Sequence, residues 1–117
     1  MHPTLDDGQL LVTRPTGRRI KVGDIVVLTT SHGKLYVKRI VARSGDLVEL
    51  EAGRLYVNRL SYDGRPRVTG ARVETWHVPD GHFFVCGDNL RYSDDSRVWD
   101  EPFVPASNIS GVAIRRR

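Results

Sequence analysis

The sequence predicts a mainly β domain, a compact antiparallel sheet or barrel-like set of short strands. Three observations carry this. Apolar and β-branched runs recur at short intervals, each is cut by Gly, Asp, Asn or Pro, and helical periodicity is weak from end to end. Leu10-Leu11-Val12 follows a turn at Gly8, and Asp24 to Thr29 follows Gly23. Leu35 to Ala42 lies between Gly33 and Gly45. Leu47 to Leu50 and Leu55 to Val57 flank a turn at Gly53. Val73 to Val78 runs into Pro79-Asp80-Gly81, a strong turn tripeptide, and His82 to Cys86 leaves it. Val112 to Ile114 closes the set. The polar stretch 59–72 reads as an exposed loop or loose hairpin within a single domain spanning 1–117, and 115–117 as a basic tail.

Composition excludes several function classes. With 39% hydrophobic and 27% charged residues, the chain is long enough to bury a core. No stretch approaches the about 18 apolar residues of a membrane span, and the front shows no signal-peptide pattern. The net charge of +4 is basic, but the cations are scattered and only Arg115-Arg116-Arg117 is dense. No patterned Arg/aromatic surface accompanies them, so no nucleic-acid partner is expected. One cysteine, Cys86, excludes an intramolecular disulfide and ends an apolar run as a small core residue. His2, His32, His77 and His82 are too dispersed for a zinc site. The spacing of Asp88, Asp94 and Asp95 matches no calcium loop, so neither metal nor cofactor is expected.

Two stretches carry candidate chemistry. In Leu35-Tyr36-Val37-Lys38-Arg39-Ile40-Val41-Ala42, strand alternation puts Lys38 with Tyr36, Ile40 and Ala42, and Arg39 with Leu35, Val37 and Val41. Each largely apolar face thus bears one cation. Arginine keeps its proton, so a buried Arg39 needs a carboxylate. Lysine loses its proton more readily when desolvated, and a neutral amine can activate a serine hydroxyl. The plain alternative is that both side chains reach water from a strand end.

The second stretch runs from Phe83 through Cys86-Gly87-Asp88-Asn89 to Ser93-Asp94-Asp95-Ser96-Arg97-Val98-Trp99. Such a polar loop is costly to order unless its groups bond one another. Asp95 and Arg97 are spaced for a charge-assisted pair that would stiffen it. An ordinary solvent-facing turn is the alternative.

Together these stretches resemble the type I signal peptidases, serine proteases that remove signal peptides from exported proteins. That family has Ser-Met-x-Pro-Thr-Leu, and this chain begins Met1-His2-Pro3-Thr4-Leu5. Gly23-Asp24-Ile25-Val26 follows, then Lys38-Arg39-Ile40 leading to Gly45-Asp46. Last is Gly-Asp-Asn-x-x-x-Ser-x-Asp-Ser-Arg, matched by Gly87, Asp88, Asn89, Ser93, Asp95, Ser96 and Arg97. The resemblance covers nearly the whole chain. It implies a β catalytic core and a Ser/Lys dyad of the bacterial and organelle type, with Lys38 as general base. It gives Ser93 the task of orienting the lysine amine. It makes Asp95 and Arg97 a structural pair beside the site, with Gly87, Asp88 and Asn89 in the same loop. Met1, Pro3, Thr4 and Leu5 fall to the nucleophile motif and substrate groove. The implied partners are signal peptides with small residues near the cut and a membrane surface. The implied place is the outer face of a bacterial cytoplasmic membrane, the chain acting as a monomer. Only 48 residues (39 to 86) separate Lys38 from Gly87, implying a member without a large inserted subdomain.

The sequence departs from the family pattern at three places. Ser44 replaces the usual proline before the Gly-Asp turn, and Asp100 follows Trp99 where glycine is favoured. The nucleophilic serine would stand immediately before Met1. Either the motif's own methionine has been taken as the start, or the chain begins there and forms no acyl-enzyme. The other readings are a dedicated maturation or conjugation peptidase of the same family, a non-catalytic peptide-binding remnant, and an autoprotease of the SOS-repressor type. The last would lack the Gly87–Arg97 loop.

Overall fold

The computed structural model describes residues 10–13, 20–51, 53–62, 73–88 and 94–115. Ten strands occur among them: β1 Leu10–Thr13, β2 Ile25–Thr29, β3 Leu35–Arg43, β4 Leu47–Glu51, β5 Arg54–Val57, β6 Leu60–Ser61, β7 Val73–His77, β8 His82–Cys86, β9 Val104–Pro105 and β10 Ile109–Arg115. A 3-10 turn, Ala106–Asn108, precedes β10. Among the described residues no helix is long and apolar enough to cross a membrane. All pairings are antiparallel, as the alternation of short apolar runs and turn residues predicts. They build a six-stranded sheet ordered β1-β10-β2-β3-β8-β9 and a four-stranded sheet ordered β6-β5-β4-β7.

Two apolar clusters follow from this split. Val26, Leu28, Ile40, Val85, Val104, Ile109 and Val112 cover one face of the larger sheet. The second cluster joins the sheets: Val41, Ala42, Phe84 and Cys86 from the larger meet Val48 and Leu55 from the smaller. Trp76 packs on Phe84 with ring centroids 5.0 Å apart. Simple alternation places Ala42 beside Ile40, and here the structure differs. The β3–β8 register slips between Ile40 and Ala42. This bulge inserts one residue, so Val41 and Ala42 both serve the second cluster. One strand thereby feeds two cores, and its other end is left to carry Lys38 and Arg39.

The chain passes between sheets at two turns that are fastened together. Gly45 donates to the Val78 carbonyl at 2.9 Å, and Val78 donates to the Asp46 carbonyl at 3.0 Å. Ser44 Oγ accepts from the Gly81 amide at 2.9 Å, a use for the hydroxyl that a proline there would lack. Asp46 caps the turn by accepting the Arg43 amide at 3.0 Å. Gly45 has φ +87°, in the left-handed region, although a methyl group there would meet nothing within 4 Å. Gly45→Ala should therefore cost about 1–2 kcal/mol through backbone strain alone. Urea unfolding measures it, and a cost near zero would mean that the turn relaxes without the glycine.

Three elements escape the sequence reading. β6 and β9 are two residues each, too short for a periodic signal, and β10 starts three residues before Val112. Leu60–Ser61 occupies the front of the 59–72 stretch and pairs with β5, while residues 63–72 lie outside the described residues.

Candidate active site

Strand β3 brings the candidate chemistry to the larger sheet. Lys38 pairs with Val26 and Tyr36 with Leu28, so the lysine stem lies in a fully buried apolar neighbourhood. Lys34, Tyr36 and Lys38 share a face by alternation. The Lys34 and Lys38 amines stand 5.0 Å and 5.5 Å from the Tyr36 ring centroid, within cation–π range. Lys38 is half-buried. Burial lowers its proton affinity below the usual lysine value of 10.5. The carboxylates of Asp95 and Asp94 pull the other way, and the Arg97 guanidinium lowers it further. Desolvation wins, and the amine gives up its proton more readily than an exposed lysine.

The adjacent Arg39 meets the opposite fate. Its Nε and Nη2 donate to Asp88 Oδ1 and Oδ2 at 2.8 Å and 3.0 Å, and Nη1 donates to the Gly23 carbonyl at 2.7 Å. The bonds to Asp88 raise its proton affinity, so it remains a cation. This fork pins the Gly87–Asp88 turn to the strand bearing the lysine. Asp88 is the carboxylate that Arg39 would need if buried, and the alternative, a guanidinium reaching only water, does not hold.

Asp95 is fully buried in the loop that follows. It accepts from Arg97 Nε and Nη2 at 2.9 Å each, from the Arg97 amide at 3.1 Å and from the Gly87 amide at 3.1 Å. Ser96 next to it is also fully buried. Its Oγ accepts the Val85 amide at 2.9 Å, and its own amide donates to the Val85 carbonyl at 3.1 Å. The loop is thus stitched to β8 on both sides of Cys86. The Cys86 thiol is buried, and desolvation pushes its titration far upward, which removes it as a nucleophile.

The sequence reading gave no role to Tyr36 or Trp99, and it weighed Asp94 only as a metal ligand. Tyr36 Oη donates to Asp94 Oδ2 at 3.0 Å, and Trp99 Nε1 donates to Asp94 Oδ1 at 3.0 Å. The two rings pack with centroids 4.9 Å apart. The parity of Tyr36 with Lys38 was a visible signal. The carboxylate joining Tyr36 to Trp99 lies 58 positions from Tyr36 and was not. These rings also wall a cleft of about 720 Å³ bounded by Thr29–His32, Pro79, His82 and Val98–Pro105. Among the described residues no set of side chains is grouped to hold a metal ion.

The structure therefore brings Asp94, Asp95, Cys86 and Arg97 within electrostatic reach of Lys38. Asp88 and Gly87 secure the same loop. Met1, Pro3, Thr4, Leu5, Asn89 and Ser93 lie outside the described residues.

The family model described as "Signal peptidase, peptidase S26" matches residues 1–116. The chain belongs to the signal peptidase family. Within that family it is 33% identical to thylakoidal processing peptidase 1, chloroplastic, of Arabidopsis thaliana, over 99% of this chain and 38% of that protein. It is 34% identical to the probable signal peptidase I-1 of Synechocystis, over 99% of this chain and 65% of that protein. It is also 34% identical to signal peptidase I of Bacillus licheniformis, over 83% and 61% respectively. The chain spans less than two thirds of each of these relatives. Among solved structures, a signal peptidase I from Enterococcus faecalis superposes with a TM-score of 0.61 at 26% identity. That match covers 81% of this chain and 97% of that one.

Proposed function

We propose that this domain is the catalytic part of a serine endopeptidase that cleaves signal peptides from exported preproteins, with Lys38 as its general base. One observation carries the reading. Burial lowers the proton affinity of a lysine on an apolar strand face, beside a loop locked by a buried ion pair; the motif resemblance alone makes that lysine the base. In the reaction, the hydroxyl oxygen of a serine preceding Met1 bonds to the scissile carbonyl carbon as its proton passes to Lys38 Nζ. The tetrahedral adduct collapses, the C–N bond breaks, and the departing amine takes that proton. Water then attacks the acyl-serine ester with Lys38 again as base, which releases the signal peptide and restores the hydroxyl. Ser93 is assigned the task of aiming the amine, on the motif alone. The cleft beside Tyr36 and Trp99 is the candidate place for an extended peptide, since Tyr36 belongs to both cleft and lysine surroundings. The domain is assigned to the outer face of a bacterial cytoplasmic membrane, acting as a monomer.

Two polypeptides test this: one beginning at Met1, and one extended at its front to carry a serine before Met1. Only the extended form should be labelled by a serine-directed acylating inhibitor and should cleave a preprotein. Labelling of the form beginning at Met1 would show that the nucleophile lies elsewhere. An inert extended form would overturn the enzymatic reading.

A further inference from the structure

Neighbours in sequence, Asp94 and Asp95 are placed very differently. Asp95 is sealed in its fork with Arg97. Asp94 is exposed, and both of its described donors are ring groups without charge, the Tyr36 hydroxyl and the Trp99 indole N–H. Its negative charge is held in place by these two neutral donors. The Tyr36 ring that binds it is the same ring that the Lys38 amine faces at 5.5 Å.

We propose that Asp94 is a positioning residue for the Lys38 amine, tying the 94–99 loop to the lysine's own strand and keeping a carboxylate charge beside it. The tie runs from β3 through Tyr36 to Asp94 and on to Trp99. It holds the loop against the strand on the side away from the Arg39–Asp88 fork, so that the loop is fastened to β3 twice. The charge keeps the amine protonated to a higher pH than burial alone would set. The other groups around the amine do not substitute for it. Asp95 pulls in the same direction from within its fork, where the Arg97 guanidinium opposes it. Cys86, on β8, stays neutral because burial raises its titration. Val26, on β2, is apolar, and Lys34, across the Tyr36 ring, has the opposite sign of charge.

The activity consequence rests on the proposed peptidase reading, but the primary measurement needs no catalysis. Lys38 is titrated by NMR through its side-chain carbon and nitrogen signals, in the chain itself and in two variants. Asp94→Asn keeps a hydrogen-bond acceptor and removes the charge. Its Lys38 midpoint should fall by about half a pH unit, the size expected for a solvent-screened pair. Asp94→Glu keeps the charge and should hold the midpoint near that of the parent. In the serine-bearing form, the acid limb of kcat/KM should move in the same direction for Asp94→Asn. A role confined to loop packing would leave the titration where it is. An unmoved or raised midpoint in Asp94→Asn overturns the proposal even if the enzyme cleaves normally. The shifted midpoint in a protein that cleaves nothing supports the role of Asp94 and overturns only the peptidase reading.

Discussion

Lys38→Ala and Lys38→Arg, made in the form that carries a serine before Met1, should each lower preprotein cleavage by at least about 10³-fold. The two variants fail for different reasons. Alanine removes the amine. Arginine retains a cation of similar reach, but its guanidinium does not lose a proton near neutral pH and so accepts none from the serine. Stability should change by less than about 1 kcal/mol in either, because the side chain is only half-buried. The pH dependence is a second check. Activity requires the neutral amine, so the rate rises as Lys38 loses its proton. The midpoint should lie below the usual lysine value of 10.5, because burial dominates its surroundings. The same shift has a sign for stability. The unfolded chain binds a proton at this lysine more tightly than the folded chain does, so stability rises with pH between the two values. Below that window, the folded protein bears the cost of the partly buried charge. Full cleavage activity in Lys38→Arg would remove Lys38 from the role of base.

The fold class was legible because antiparallel strands advertise themselves locally. Leu47 to Leu50 and His82 to Cys86 are apolar runs with turn residues at their ends, and both are strands. What escaped depends on partners far along the chain. Val104–Pro105 is a strand only because β8 lies beside it, and a two-residue run has no period to read. The bulge at Val41 was hidden for a related reason. Val41 and Ala42 are both apolar, so the sequence shows no sign that alternation breaks there. At the site, chemistry narrowed the choices further than pattern did. A buried arginine needs a carboxylate, and that need is visible in the strand. Which carboxylate meets it is not, since Asp88 lies 49 positions away. Lys38 and Arg39 look alike as cations in one strand. Only their folded surroundings separate them: the fork with Asp88 makes Arg39 a fixed charge, whereas burial outweighs the nearby acids at Lys38 and loosens its hold on the proton.

Arg97→Ala should cost about 3–5 kcal/mol, the usual effect of stranding one member of a buried ion pair. At this chain length that corresponds to a fall in Tm of more than about 10 °C. Asp95 is fully buried, while the Arg97 side chain is 10% exposed, so the two members are not equivalent. Loss of Arg97 leaves the carboxylate enclosed without its guanidinium, the Gly87 amide and the backbone amide of position 97 still donating to it. Asp95→Asn should cost less, since the amide oxygen can still accept from Gly87 while the guanidinium has a route to water. The double variant, Asp95→Asn with Arg97→Ala, should be more stable than Arg97→Ala alone, because no buried charge then remains. That inequality separates a pair kept for stability from one kept for registration of the loop. If registration is its role, the double variant regains stability but not cleavage: the loop is no longer forked at Arg97, and the Lys38 amine loses the fixed charge of Asp95. Recovery of stability and cleavage together would show that the pair matters only as a buried charge. An Arg97→Ala cost under about 1 kcal/mol would show that the loop is held by Ser96 and the Arg39–Asp88 fork without it.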